Sequence, residues 1–245
     1  MRWIYLSPHF DDAVLSCGGL IFEQVQTSHG NISPEIWTIL AGEPPLGPLS
    51  EFARQNHALW GIGNDDQVVT IRREEDEAAA AILGVELVHF DLPDCIYRRS
   101  AGGEYLYTET VFALSHPLDR KLPIRIATAL RTELRQDDVL VCPLSLGGHV
   151  DHVLVRRAAE SLQRPLLYYA DIPYVLNNPE TLPAAITSLA SQRYHVSETG
   201  LDAWLQAVAA YRSQLDSLFK GPGSLSDAIR SFWAEERGLR LWHFC

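Results

Sequence analysis

The alternation of apolar and polar positions divides this chain into short strand-like runs and longer stretches of helical period. The first run, Trp3-Ile4-Tyr5-Leu6, is rich in strand formers, and Pro8 ends it by disfavouring the helical region at Ser7. A helical pattern then covers 13–29, with Val14, Leu15, Leu20, Ile21, Phe22 and Val25 on a broad apolar face. Asp11 or Asp12 is placed to cap that helix, and Gly18 and Gly19 allow it a close approach to the sheet. Further strands are expected at 35–41, 86–90, 138–143 and 166–170, and helices at 51–60 (capped by Ser50), 70–83, 122–135 and 151–162. Strands alternating with helices predict βαβ units and a mostly parallel sheet, an α/β fold. Beyond residue 170 the pattern changes to an edge strand at 193–198 and two helices, 201–219 and 226–237, joined by Lys220-Gly221-Pro222-Gly223.

Two stretches have no period. Residues 42–48, Gly-Glu-Pro-Pro-Leu-Gly-Pro, form a loop at a strand's carboxyl end, either lining a site or simply connecting elements. Residues 95–121 carry Tyr97, Arg98, Arg99, Tyr105, Tyr107 and His116. An irregular segment that long inside a compact domain is usually functional or mobile, which makes it the candidate for specificity.

At 245 residues, 47% hydrophobic and 21% charged, the chain suits one large domain over 1–245 with a full core. The net charge of -11 and the lack of any basic block argue against nucleic acid as a partner. No membrane span is present, and the first apolar run is too short for a signal peptide. Cys17, Cys95, Cys142 and Cys245 have no paired spacing and read as reduced thiols of a cytoplasmic protein.

The chemistry-bearing residues gather at two strand ends. His9, Asp11 and Asp12 follow the first strand, and the carboxyl edge of an open α/β sheet is where ligands bind. An imidazole and a carboxylate three residues apart are two of the three protein ligands that a catalytic zinc takes. Alone, Asp11-Asp12 reads more readily as a helix cap and His9 as a loop residue. A second cluster, Gly147-Gly148-His149-Val150-Asp151-His152, follows the strand at 138–143. Two clusters at two strand ends argue for one shared metal site. His57 has no such cluster and reads as a surface or packing residue.

Pro8-His9-Phe10-Asp11-Asp12-Ala13 and His149-Val150-Asp151-His152 resemble the two signatures of the zinc-dependent N-acetylglucosaminyl deacetylases, the PIG-L or LmbE-like family. A third likeness is Arg72-Arg73-Glu74-Glu75 leading to Leu83-Gly84-Val85 and Leu92-Pro93-Asp94. Two prolines and a glutamate of the family pattern are replaced here, but no metal ligand is. The likeness runs over about residues 1–165, the metal-site core, with 166–245 expected to complete the sheet and pocket.

The resemblance implies a Rossmann-like three-layer sandwich and removal of acetyl from an N-acetylglucosaminyl conjugate. It implies His9, Asp12 and His152 as ligands of one Zn2+, with Fe2+ suiting the same donors. Asp11 is then the general base, and His149 stabilises the oxyanion or protonates the leaving amine. Asp151 orients an imidazole from behind, while Arg72 and Asp94 reach the substrate. The partner is a small amino-sugar conjugate; a homo-oligomer is left open. Two alternatives stand beside this: an amidase for another N-acylated small molecule, such as a thiol conjugate or antibiotic intermediate, and a sugar-binding homologue without activity.

Overall fold

The computed structural model describes residues 1–27, 32–63, 67–219 and 224–244. The connecting segment at 220–223, the end of the expected first helix at 28–29, and Cys245 lie outside them. Among the described residues the chain runs β1 (Arg2–Ser7), α1 (Asp12–Thr27), β2 (Ser33–Thr38), α2 (Glu51–Leu59), α3 (Val68–Leu83), β3 (Glu86–His89), α4 (Leu122–Glu133), β4 (Val139–Pro143) and α5 (Val150–Glu160). It continues through β5 (Leu166–Tyr169), α6 (Tyr174–Asn177), α7 (Leu182–Ala185), β6 (Leu189–His195), α8 (Glu198–Val208), α9 (Arg212–Leu218), α10 (Leu225–Glu236) and β7 (Gly238–Phe244).

The strands form one sheet in the order β3-β2-β1-β4-β5-β7-β6. Its first five members are parallel, and β7 runs antiparallel to both β5 and β6. β1 and β4 are buried on both faces, as a parallel sheet covered by helices on each side requires. α1, α3 and α8 pack together, and α4 packs on α5. The order matters for function. From β1 the chain winds outward to β3, then returns to lay β4 against the other side of β1. That reversal opens a crevice at the carboxyl ends of β1 and β4, where ligands bind in open α/β sheets. Both clusters follow those two strands.

Four local expectations change. The first-turn N–H of Ala13 is accepted by Ser7 Oγ at 3.0 Å, so Ser7 does the capping assigned to Asp11 or Asp12, while Asp12 Oδ2 accepts instead from His9 N–H at 2.8 Å. Gly18 and Gly19 make room for α8 and the residues before it, not for the sheet: a Cβ on Gly18 would stand 2.5 Å from Trp204 Cδ1, and one on Gly19 2.8 Å from Val196 Cγ1. The helix expected over 201–219 is two, α8 and α9, because Tyr211 turns inward to donate to Asp76 at 2.6 Å and Ser213 N–H donates to Glu75 at 2.8 Å. Finally, β7 was not expected; it follows α10 directly through Arg237, which adopts the left-handed conformation at φ 53°.

Candidate active site

His9, Asp12 and His152 meet at the crevice. One donor atom from each lies within 4.8 Å of the others, and all three side chains are buried. Asp12, the first residue of α1, faces Nδ1 of His9 at 3.2 Å and Nε2 of His152 at 3.3 Å. The far nitrogens of both rings are held by carboxylates. His9 Nε2 is 3.1 Å from Asp151 Oδ2, and His152 Nδ1 is 2.7 Å from Asp171 Oδ1. A carboxylate behind each imidazole orients the ring and raises its basicity, as is usual for metal-ligating histidines. Asp171, just after β5, carries half of this arrangement. As a lone acid at a strand end it belongs to no motif, and nothing in its sequence context marks it out.

The electrostatics favour a cation. Burial opposes charge on His9, but Asp94, Asp12 and Asp151 outweigh it and push the imidazole well above its ordinary range. Burial likewise opposes charge on His152, and Asp12 and Asp171 raise it to about 9. Asp12, despite burial, is held well below the carboxylate range by His152 and His9. The surrounding carboxylates thus favour positive charge at the donor set even against burial, and two imidazoles with one carboxylate fit a divalent zinc or iron ion. Two other groupings, His9-His149-Asp151 and Asp94-Cys95-Asp151, have donors as close together. Both need Asp151, which already accepts from Cys95 N–H at 2.9 Å and pairs with Arg98 at 2.6 Å.

Asp11, Arg72, Asp94 and His149 line the same cavity, of about 800 Å³, with His9 and Asp12. Burial and then Asp12 push Asp11 up to about 6, against the pull of Arg72 and His9. Burial, with His9 and His152 close by, keeps His149 well below its ordinary value and hence neutral. Its Nδ1 accepts from Asp151 N–H at 3.2 Å, which leaves Nε2 to carry the proton. Arg72 NH2 is 3.7 Å from Asp11, and the guanidinium lies between the rings of Phe10 (5.4 Å) and Trp60 (4.7 Å). Asp94 both accepts from Ile96 N–H at 3.1 Å and stands 3.6 Å from His9 Nε2.

The long 95–121 segment divides. Arg98 is buried between Asp151 and Asp119, and Arg99 donates to Leu46 and Pro48 carbonyls and to Tyr105. These arginines therefore brace the loop and the 42–48 stretch, which is absent from the cavity lining. Glu109 to Phe112 do line the cavity. His57 is buried, with Nε2 2.7 Å from the Tyr97 hydroxyl, a packing residue and not a surface one. A residue the sequence did not single out is Tyr174. Its ring is 5.5 Å from that of His152 at 89°, and it occupies space that only glycine at 147 permits: a Cβ there, at φ 78°, would be 2.3 Å from Tyr174 Cδ1.

Comparison with known proteins agrees with this geometry. The family described as PIG-L, GlcNAc-PI de-N-acetylase, matches residues 4–162. The chain belongs to this family. Over 98% of its length it is 28% identical to the 2'-N-acetylparomamine deacetylase of Niallia circulans, of which it covers 93%. Its fold matches the zinc-inhibited form of teicoplanin deacetylase Orf2 with a TM-score of 0.85 at 26% identity, covering 100% of this chain and 98% of that one. A deacetylase–teicoplanin complex gives 0.83 at 25% identity over 99% and 98% of the two chains. The family match stops near the end of α5, but the structural likeness continues through β7. The chain is an N-deacetylase, and none of its described helices is long and apolar enough to cross a membrane.

Proposed function

We propose that this family member is a metal-dependent hydrolase that removes the acetyl group from an N-acetylglucosaminyl conjugate, with one Zn2+ per chain held by His9, Asp12 and His152. The observation that carries the reading is the convergence of those three donors within 4.8 Å at a cavity lined by His9 and Asp12 together with Asp11 and His149. A divalent cation bound there supplies a Lewis acid and an acidified water.

The chain's own groups supply the rest. Asp11 takes the proton of the attacking water. A carboxylate at about 6 is matched to work near neutral pH, and a cation beside it keeps it ionised. His149, neutral with a proton on Nε2, donates to the carbonyl oxygen as charge develops, a contribution on the order of 2.7–4 kcal/mol for one such donor. Asp151 and Asp171 hold the ligand rings in one tautomer. Arg72 and Asp94 hydrogen-bond the sugar. The whole chain acts as one deacetylase domain, its N-terminal part building the metal site and its C-terminal part walling the cavity. The buried thiols of Cys17, Cys95 and Cys142 suit a reducing cytoplasm.

A second reading, an amidase for an N-acetylated antibiotic intermediate, is favoured by relatives named for 2'-N-acetylparomamine and for teicoplanin. Intact Asp11 and His149 argue against an inactive sugar binder. Acetate release from a panel of N-acetylated amino sugars and other acylated amines, with and without a chelator, combined with elemental analysis, tests all three. The reading requires acetate from an amino sugar, loss on chelation and restoration by zinc. Turnover that survives complete metal removal overturns it.

A further inference from the structure

The cavity is chemically divided, and the division bears on what the amino sugar is attached to. Its charge-bearing lining groups, His9, Asp11, Asp12, Arg72, Asp94 and His149, gather in one cluster that forms the floor, with Glu109 the one carboxylate apart from it. Around that cluster the lining is almost uncharged, large apolar side chains alternating with the amides and hydroxyls of Asn56, Thr110, Asn177, Asn178, Gln214 and Ser217. Leu59 and Trp60 stand at the end of α2, Val111 and Phe112 on the loop, and Leu176 and Leu218 on α6 and α9. Leu59 is 68% exposed and Phe112 57% exposed, large apolar side chains left in water at the mouth of a polar site.

Phe112 and Trp60 are held in place. Val150 N–H donates to the Val111 carbonyl at 2.9 Å, which pins the loop to the start of α5, and the Phe112 ring meets those of His149 (5.8 Å) and Tyr174 (6.1 Å) nearly at right angles. Trp60 lies over Arg72 at 4.7 Å. A hydrophobic rim held this rigidly is prepared for a ligand surface, because burying it on binding recovers the hydration cost of leaving it exposed.

Two kinds of conjugate compete for such a mouth. A polycationic amino sugar needs a carboxylate near each ammonium to replace lost hydration, and the wall offers only Glu109. The chain's net charge of -11 attracts cations at long range, but this acidity is not concentrated on the wall. An apolar, aromatic aglycone meets Leu59, Trp60, Phe112, Leu176 and Leu218, and the uncharged amides and hydroxyls between them can bond its polar edges without any charge to match. We infer that the substrate is an N-acetylated amino sugar carried on an apolar, aromatic aglycone, which docks against Leu59, Trp60, Phe112, Leu176 and Leu218 while the acetamide reaches the floor.

This inference rests on the deacetylase reading above, and its test separates the two. Three acetamido sugars are compared on the zinc-loaded enzyme: a methyl glycoside, a biphenylyl glycoside and a mono-N-acetylated aminoglycoside. The biphenylyl glycoside is expected to have a KM lower than the methyl glycoside by on the order of ten-fold or more, at similar kcat. Phe112→Ser and Leu59→Ser, both exposed changes that spare the core, should each shrink the biphenylyl-to-methyl ratio of kcat/KM several-fold. Direct binding of the deacetylated biphenylyl product, read by calorimetry, should weaken in parallel. A ratio near one in the unaltered enzyme, or a higher kcat/KM for the aminoglycoside, overturns the aglycone inference alone. Absence of acetate from all three overturns the deacetylase reading instead.

Discussion

Asp171 Oδ1 lies 2.7 Å from Nδ1 of His152, so a residue from the end of β5 fixes the orientation of an imidazole from α5. The same carboxylate accepts from Leu146 N–H through Oδ2 at 3.1 Å, tying the segment before the second cluster to that ring. Asp171→Asn is expected to lower zinc affinity roughly 10- to 100-fold, the usual effect of losing a carboxylate behind a ligand histidine. Competition with a fluorescent chelator measures this directly. Unchanged affinity would show that His152 needs no partner on Nδ1.

Asp11 and His152 differ in what their loss removes. Asp11→Ala should retain bound metal while kcat falls on the order of 10²–10⁴-fold, the range for a general base. His152→Ala should lose the metal itself. Elemental analysis beside steady-state kinetics distinguishes the cases. Substantial turnover by the Asp11 variant would refute its role as base.

Tyr174 faces the cavity, and no protein group among the described residues accepts from its hydroxyl, whereas the buried phenols of Tyr5, Tyr169 and Tyr211 each have an acceptor. Its free donor stands beside His152, opposite a glycine that makes way for it. Tyr174→Phe is expected to lower kcat by about 10²-fold, with metal content unchanged, as loss of a donor to the developing oxyanion would. Gly147→Ala, which displaces the ring, should reproduce much of the loss. Normal kcat in the phenylalanine variant assigns the ring a packing role only.

The two clusters were legible in sequence because each packs several chemical groups into four to six consecutive positions after an apolar run. Asp171 and Tyr174 were not, since each stands alone in its segment and acquires a partner only when β5 is laid beside β4. The break at Ala209-Ala210-Tyr211 contains neither glycine nor proline; it arises from the Tyr211–Asp76 hydrogen bond, a tertiary contact that overrides helical period. β7 has Leu239 and Leu241 buried and Arg240 exposed, and Gly238 beside the left-handed Arg237 marks the helix end, but so short a run becomes a strand only by pairing with β6.

At the opposite edge of the sheet from the site, Arg2 grips Asp138 through Nε at 3.0 Å and through its second nitrogen at 2.6 Å, and reaches Glu35 at 3.2 Å. This joins β1 to β2 and to the start of β4. Burial alone would raise the Asp138 pKa, but the Arg2 fork and the Arg135 N–H outweigh it and hold the carboxylate below its ordinary value. A folded-state pKa depressed in this way adds stability that is complete above the unfolded value, near 3.9, and is lost as pH falls through the lower folded value. Asp138→Asn removes the charge but keeps an acceptor for Arg135. It is expected to destabilise the protein by about 1.5–3 kcal/mol at pH 7, the range for hydrogen bonds to charged groups. The deficit should narrow toward pH 3, where the native carboxylate begins to protonate as well. Urea titrations of both proteins at pH 7 and pH 3 measure the difference, and a deficit that does not change with pH would mean that the pair's contribution is packing rather than charge.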